Sequence, residues 1–261
     1  MSYIFIFLIG LAIGSFLNVL IVRIPKNENI VFPASHCPIC NHTLKPWHNI
    51  PILSWLLLRG SCAFCKTPIS KMYPMVELIT GFIFLFIAIK EGVNINWFII
   101  SLIFSLLFAL SIIDFKYYAV PDSLNFTVLA LALLLPVFNF IADYLTQELQ
   151  SFSNYQSILI TNFKDAGIMA LSFFLLGYVV KKVIKKDALG EADIIIVATM
   201  GTLLGFPLVL MAIYLAAILA IVPALFARNH MVPFVPFLTL GTLITYFFND
   251  TFLRWWNQLY A

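Results

Sequence analysis

The chain reads as an all-α polytopic membrane protein of about eight transmembrane helices with one long polar loop, and two observations carry that reading. Of its 261 residues 62% are hydrophobic and only 10% charged, with a mean hydropathy of +1.00, far from the balance of a soluble domain. The apolar residues also fall in runs of membrane-spanning length, about 18 to 22 residues each. The net charge of +3, dispersed through an apolar chain, gives no footing for nucleic-acid binding.

The first run, residues 2–22, ends in Val22-Arg23-Ile24-Pro25-Lys26. It has no basic stretch before it and is long enough to span, so it is expected as a retained helix and not a cleaved leader. Runs at 73–90, 96–113, 124–142 and 164–181 supply four more spans, and 193–206, 207–227 and 232–249 the last three. The break at Gly205-Phe206-Pro207 leaves 193–206 short, and a short or tilted helix beside Asp193 would suit a site open to water. The segment 143–163, rich in Ser, Gln and Asn, is expected as a solvated connection. No internal repeat is evident, and the chain divides into a first helix (1–23), a loop (24–72) and a helical bundle (73–261).

Alternating loops then sort the charges. Arg23, Lys26, Lys45, Arg59, Lys66, Lys71, Lys116, Lys181, Lys182, Lys185, Lys186 and Arg228 lie on one side, twelve of the fifteen Lys and Arg. The other side holds Glu91, Asp143, Glu148, Asp165 and Asp250 with Lys90, Lys164 and Arg254. The basic side is cytoplasmic by the positive-inside rule, which places both termini outside the cytoplasm.

All four cysteines lie in the 24–72 loop, as Cys37-Pro-Ile-Cys40 and Cys62-Ala-Phe-Cys65 with 21 residues between the pairs. Paired Cys-x-x-Cys units have the spacing of a tetrahedral zinc site of four thiolates. Two disulfides or a redox pair are the alternatives; the cytoplasm keeps thiols reduced, and a redox motif needs no second copy. His36 and His42 flank the first pair as substitute ligands, but four thiolates already close the shell. A closed shell folds a loop and leaves no open position for chemistry. Between the pairs, Trp47 and Trp55 with Pro46 and Pro51 suit either packing at the membrane interface or recognition of a ligand.

Two aspartates, Asp114 and Asp193, sit where apolar runs meet charged turns, in Ser-Ile-Ile-Asp114-Phe-Lys and Gly190-Glu191-Ala192-Asp193. A carboxylate at the end of a membrane helix is costly to desolvate and usually faces a polar cavity. Two that share a site do not both ionise easily, so one holds a proton while the other is a base. Such a pair activates water against a peptide carbonyl with no metal and no covalent intermediate. Asp122 or Ser123, and also Asp193, are placed as helix N-caps, and Glu191 as a solvated turn residue. Glu77, inside the second span, either pairs with a lysine or lines a cavity.

Several motifs run through most of the chain in one order. They are Gly14-Ser-Phe-Leu-Asn18 with Arg23-Ile-Pro25, Phe32-Pro33 with Ser35-His36-Cys37-Pro-Ile-Cys40, Asn49-Ile-Pro51, Gly60-Ser-Cys62-Ala-Phe-Cys65, Tyr73-Pro74-Met-Val-Glu77, Asp114 through Pro121-Asp122, and Gly190 to Asp193. With this ordered set the chain resembles the type IV prepilin peptidases, bifunctional leader peptidases and N-methyltransferases. The resemblance implies that Asp114 and Asp193 are the catalytic pair, that the substrates are prepilins or pseudopilins cut at the cytoplasmic face of the inner membrane, and that S-adenosylmethionine methylates the new N-terminus. It leaves the cofactor site open, with the zinc loop and Glu77 as candidates. The family's Gly-x-Gly-Asp with a lysine two positions on is departed from here at Ala192 and Ile195. Readings from other classes are a proton-coupled transporter using Asp114, Asp193 and Glu77 as relays, and a zinc-stabilised scaffold. Asp114→Asn would leave a scaffold working, and a transporter would depend on a pH gradient.

Overall fold

The computed structural model describes residues 2–146, 152–185, 190–226 and 232–260. Among these every regular element is helical, and the chain forms two compact units, Met1–Ala109 and Leu110–Ala261.

In the first unit α1 (Tyr3–Arg23) packs along α3 (Met72–Glu91). Two glycines one turn apart let the backbones touch. A Cβ on Gly10 would lie 2.8 Å from the Cα of Gly81, and one on Gly14 would lie 2.7 Å from the Cα of Glu77. Small residues four apart are what close helix packing in lipid requires, because there the drive is van der Waals contact rather than water exclusion. The buried Asn18 adds a hydrogen bond to the Tyr73 carbonyl, 3.0 Å. Phe84 is fully buried and meets Trp97 and Phe98 edge-on at the start of α4 (Ile95–Tyr117). Between α1 and α3 the loop holds one short helix, α2 (Leu53–Leu57), and the cysteine pairs.

The second unit comprises the end of α4, α5 (Asp122–Thr146), α6 (Phe152–Ile184), α7 (Glu191–Leu204), α8 (Leu208–Phe226), α9 (Val235–Phe247) and α10 (Asn249–Tyr260). Helix α7 is central and touches α5, α6, α8 and α9. Gly201 allows the approach of α6, since a Cβ there would sit 3.1 Å from the Asp165 carbonyl. Gly241 of α9 does the same against α8, where a Cβ would be 2.4 Å from the Ala212 carbonyl. Tyr155 of α6 donates to the Asp143 carboxylate of α5.

Six described helices are long and apolar enough to cross a membrane: α1, α3, α4, α5, α6 and α8. The remaining two expected spans are present as helices of only 14 and 13 residues, α7 and α9. Residues 152–163, expected as solvated connection, form the first turns of the 33-residue α6. Polar side chains there do not break the helix because its middle is apolar and propagates the hydrogen-bond ladder. Glu148, Lys186 and Arg228 of the charge pattern lie outside the described residues.

Candidate active site and four-thiolate centre

Asp114 lies in the last turn of α4 and is buried. Its Oδ2 accepts the backbone N–H of Val235, the first residue of α9, at 3.2 Å. Chain reversal follows at once: Tyr118, at φ +52°, donates to the Asp114 carbonyl and ends α4 in the left-handed conformation. Asp122 opens the first turn of α5.

Asp193 occupies the third position of α7, one turn after the N-cap Gly190. Its Oδ2 accepts the Gly190 N–H at 3.1 Å while the Asp193 N–H returns to the Gly190 carbonyl. Asp193 is therefore not the N-cap expected as one possibility; Gly190 is, and Asp193 bonds its N–H from the third position of the helix. Both carboxylates face helix N-termini, where orphan N–H groups and the dipole favour negative charge. They lie within electrostatic reach of each other, and neither Oδ1 takes a hydrogen bond from a described residue.

Sequence reasoning missed two supports of this pair. Asn125 of α5, fully buried, donates to the Ala192 carbonyl at 3.0 Å, and its Oδ1 has no partner among the described residues. It ties α5 to the residue before Asp193. One turn before Asp114, Ser111 donates to Thr239 of α9 at 2.8 Å, both side chains buried. A buried Asn in Pro-Asp-Ser-Leu-Asn125 was visible as a polar residue three past Asp122.

In the first unit the four cysteine sulfurs lie within 4.8 Å of one another, with Cys37 and Cys65 at 3.7 Å. Sulfurs about 2.3 Å from a tetrahedral zinc stand roughly 3.8 Å apart, so the donor set fits that ion. Two knuckles of one design build it, 25 residues apart. Asn41 N–H bonds Cys37 O and Lys66 N–H bonds Cys62 O; Cys37 N–H bonds His42 O and Cys62 N–H bonds Thr67 O. Asn41 at φ +56° and Lys66 at φ +60° make the same left-handed turn, so the two Cys-x-x-Cys units repeat in backbone as well as in spacing. Amide N–H groups of Cys40 and Ile39 lower the Cys37 thiol, and the Thr67 hydroxyl and amide lower Cys65 to about 6. At Cys40 the His42 amide lowers the thiol, but burial and the neighbouring sulfurs outweigh it and push it up to about 11. His42 stacks on Phe64 and His36 Nδ1 faces the Ala34 carbonyl, so each ring already has a neighbour within the loop.

Glu77 is buried one turn into α3, and its Oε2 accepts the Ile52 N–H at 2.7 Å. Among the described residues its hydrogen-bond partner is this amide, not the lysine expected as one possibility. The tryptophans separate: Trp55 donates to the Ile69 carbonyl and packs on Gly60, while Trp47 is exposed beneath the Lys45 ammonium.

A helical membrane protein with two acidic helix ends in one unit and a four-thiolate loop in the other is the class these features define. The chain belongs to the type IV leader peptidase family, whose model matches residues 101–225, and residues 8–91 match the bacterial peptidase A24 N-terminal domain. It is 36% identical to a prepilin leader peptidase/N-methyltransferase of Myxococcus xanthus, covering 77% of this chain and 56% of that protein. Proteins of the same description from Aeromonas hydrophila and Neisseria gonorrhoeae are 30% and 29% identical over 96% and 95% of this chain, and 92% of each of theirs. No solved structure matches the chain.

Proposed function

We propose that the chain removes the leader of type IV prepilins or pseudopilins with Asp114 and Asp193, and methylates the amine it exposes. The observation that carries the peptidase half is the pair of carboxylates in one unit, each with one oxygen anchored by a backbone amide and the other without a hydrogen bond from a described residue. One carboxylate takes a proton from water as the water oxygen attacks the scissile carbonyl carbon. The protonated partner then gives its proton to the departing nitrogen as the C–N bond breaks. Backbone amides anchor both acids, and among the described residues no side-chain cation pairs with either; the proton that one acid gains replaces the one its partner gives up, so the pair ends with one proton as it began.

Zinc, held by Cys37, Cys40, Cys62 and Cys65, supplies folding energy to the loop and no reaction step. S-adenosylmethionine, when bound, supplies an electrophilic methyl group to the new amine. Glu77 supports this half by gripping the Ile52 amide, which holds the loop on α3. The relatives' names support action on prepilins, and the Lys and Arg asymmetry of the sequence supports an inner-membrane enzyme acting at the cytoplasmic face, with the lipid bilayer as its other partner.

The test is cleavage of a short prepilin by the reconstituted protein, read by mass spectrometry with and without S-adenosylmethionine. Asp114→Asn and Asp193→Asn each lower the rate by at least about 100-fold, the lower end for a lost acid or base, with bound zinc unchanged. Cleavage retained in either variant removes that residue from the pair.

A further inference from the structure

Arg23, the last residue of α1, is only 9% exposed. Its guanidinium donates to the Asn29 carbonyl at 2.9 Å and the Pro33 carbonyl at 2.7 Å, and among the described residues no carboxylate pairs with it. Two neutral carbonyls orient a guanidinium without neutralising it, and a buried charge left uncompensated is costly. Three of its five N–H donors remain. They border a cavity of about 260 Å³ lined also by Glu28, Asn29, Phe32, Pro33 and His36.

The lining has a second charge and a ring. Glu28 is exposed and its N–H bonds the Arg23 carbonyl, which fixes its backbone beside the cation. Asn29 Oδ1 accepts the Val31 and Phe32 amides at 2.7 and 3.0 Å, holding Phe32, whose side chain is 73% exposed, at the rim. A fixed cation, a nearby carboxylate and an unpartnered aromatic face complement a small zwitterion bearing a further positive centre. A simple anion would be opposed by Glu28.

We propose that this cavity receives the amino-acid end of S-adenosylmethionine: its carboxylate on Arg23, its ammonium on Glu28 and its sulfonium against Phe32. The volume is below the roughly 300–1,000 Å³ that encloses a drug-sized ligand, so the cavity takes one end of the cofactor and the nucleoside lies outside it. The inference rests on the methyltransferase reading above.

The test is equilibrium binding of radiolabelled S-adenosylmethionine to the full chain in nanodiscs of phosphatidylglycerol, with wild type, Arg23→Gln, Glu28→Gln and Phe32→Ala compared. Bound zinc and the melting midpoint report whether each variant is folded. The expected result is a Kd raised at least about tenfold by Arg23→Gln and several-fold by each of the other two, at unchanged zinc content. Arg23→Gln also loosens the loop it clamps, so Glu28→Gln and Phe32→Ala decide. Wild-type affinity in both overturns the inference and leaves the methyltransferase reading standing. Competition of wild-type binding by added phosphatidylethanolamine, the other source of a paired anion and ammonium, also overturns it. A wild type that cleaves leader but neither binds nor transfers methyl removes the methyltransferase reading, and the cavity's assignment with it.

Discussion

Asn125 and Ala192 decide how firmly Asp193 is held. The hydrogen bond from the buried Asn125 side chain to the Ala192 carbonyl adds to the carbonyl's place in the helix ladder and is worth about 0.5–1.5 kcal/mol. Asn125→Leu should therefore loosen the first turn of α7, lowering kcat for leader cleavage at least about tenfold with KM little changed, measured by steady-state kinetics. A side chain that only filled space would leave kcat intact. Ala192 has the opposite outcome. It lies inside α7 in helical conformation, where alanine is better than glycine by roughly 0.5–1 kcal/mol. Restoring the family's glycine by Ala192→Gly should lower the melting midpoint slightly and leave the cleavage rate within about twofold, since the acid is anchored through Gly190. The acids themselves were legible in the sequence, because charge at the end of an apolar run stands out. Their anchors were not: Val235 is 121 residues from Asp114, and Ile52 is 25 from Glu77, and an amide donor carries no signature in residue type.

Helix pairing was half legible. The Gly10-Leu-Ala-Ile-Gly14 spacing is a small-xxx-small motif, but its partner face on α3 appears only when Gly81 and Glu77 are seen beneath it. A leucine at either glycine has no room on a backbone 2.7–2.8 Å from the added Cβ, and overpacking of this kind costs about 1–3 kcal/mol. Gly14→Leu should reduce the thermal midpoint of the first unit and displace Glu77, lowering methyl transfer more than leader cleavage in paired assays. The four-cysteine cluster was legible in full, because two Cys-x-x-Cys units state a candidate donor set outright. Their repeated hydrogen bonds were not, because Asn41 and Lys66 share a conformation and no chemistry. Cys62→Ser should drop bound zinc well below one per chain by elemental analysis and make the loop susceptible to protease, since three thiolates leave the shell open.

Six long helices and two short ones raise the question of where the chain crosses, and the geometry of the second unit supports a testable choice. Helices α7 and α9 both start level with the acids: Asp193 is in the first turn of α7, and Val235 at the head of α9 donates to Asp114. At its other end α7 reaches the Asp165 carbonyl through Gly201, and Asp165 lies 16 residues before Lys181 on α6, about 24 Å along that helix. Phe206, just beyond α7, meets Trp256 of α10 edge-on at 5.6 Å. Fourteen residues span only about 21 Å of a hydrocarbon core about 30 Å thick, so a crossing by α7 sets its first turn below the membrane surface. The acids then sit in a recess that water must enter, and the shortness of the helix becomes part of the site. This arrangement predicts eight crossings, with the chain after Phe226 on the cytoplasmic side and the C-terminus outside. Six crossings by the long helices alone would place both outside. Green fluorescent protein and alkaline phosphatase fused after Phe226 and after Ala261 separate the two. Fluorescence at the first junction with phosphatase activity at the second is the expected pair, and phosphatase activity at both would leave α7 and α9 short of crossing.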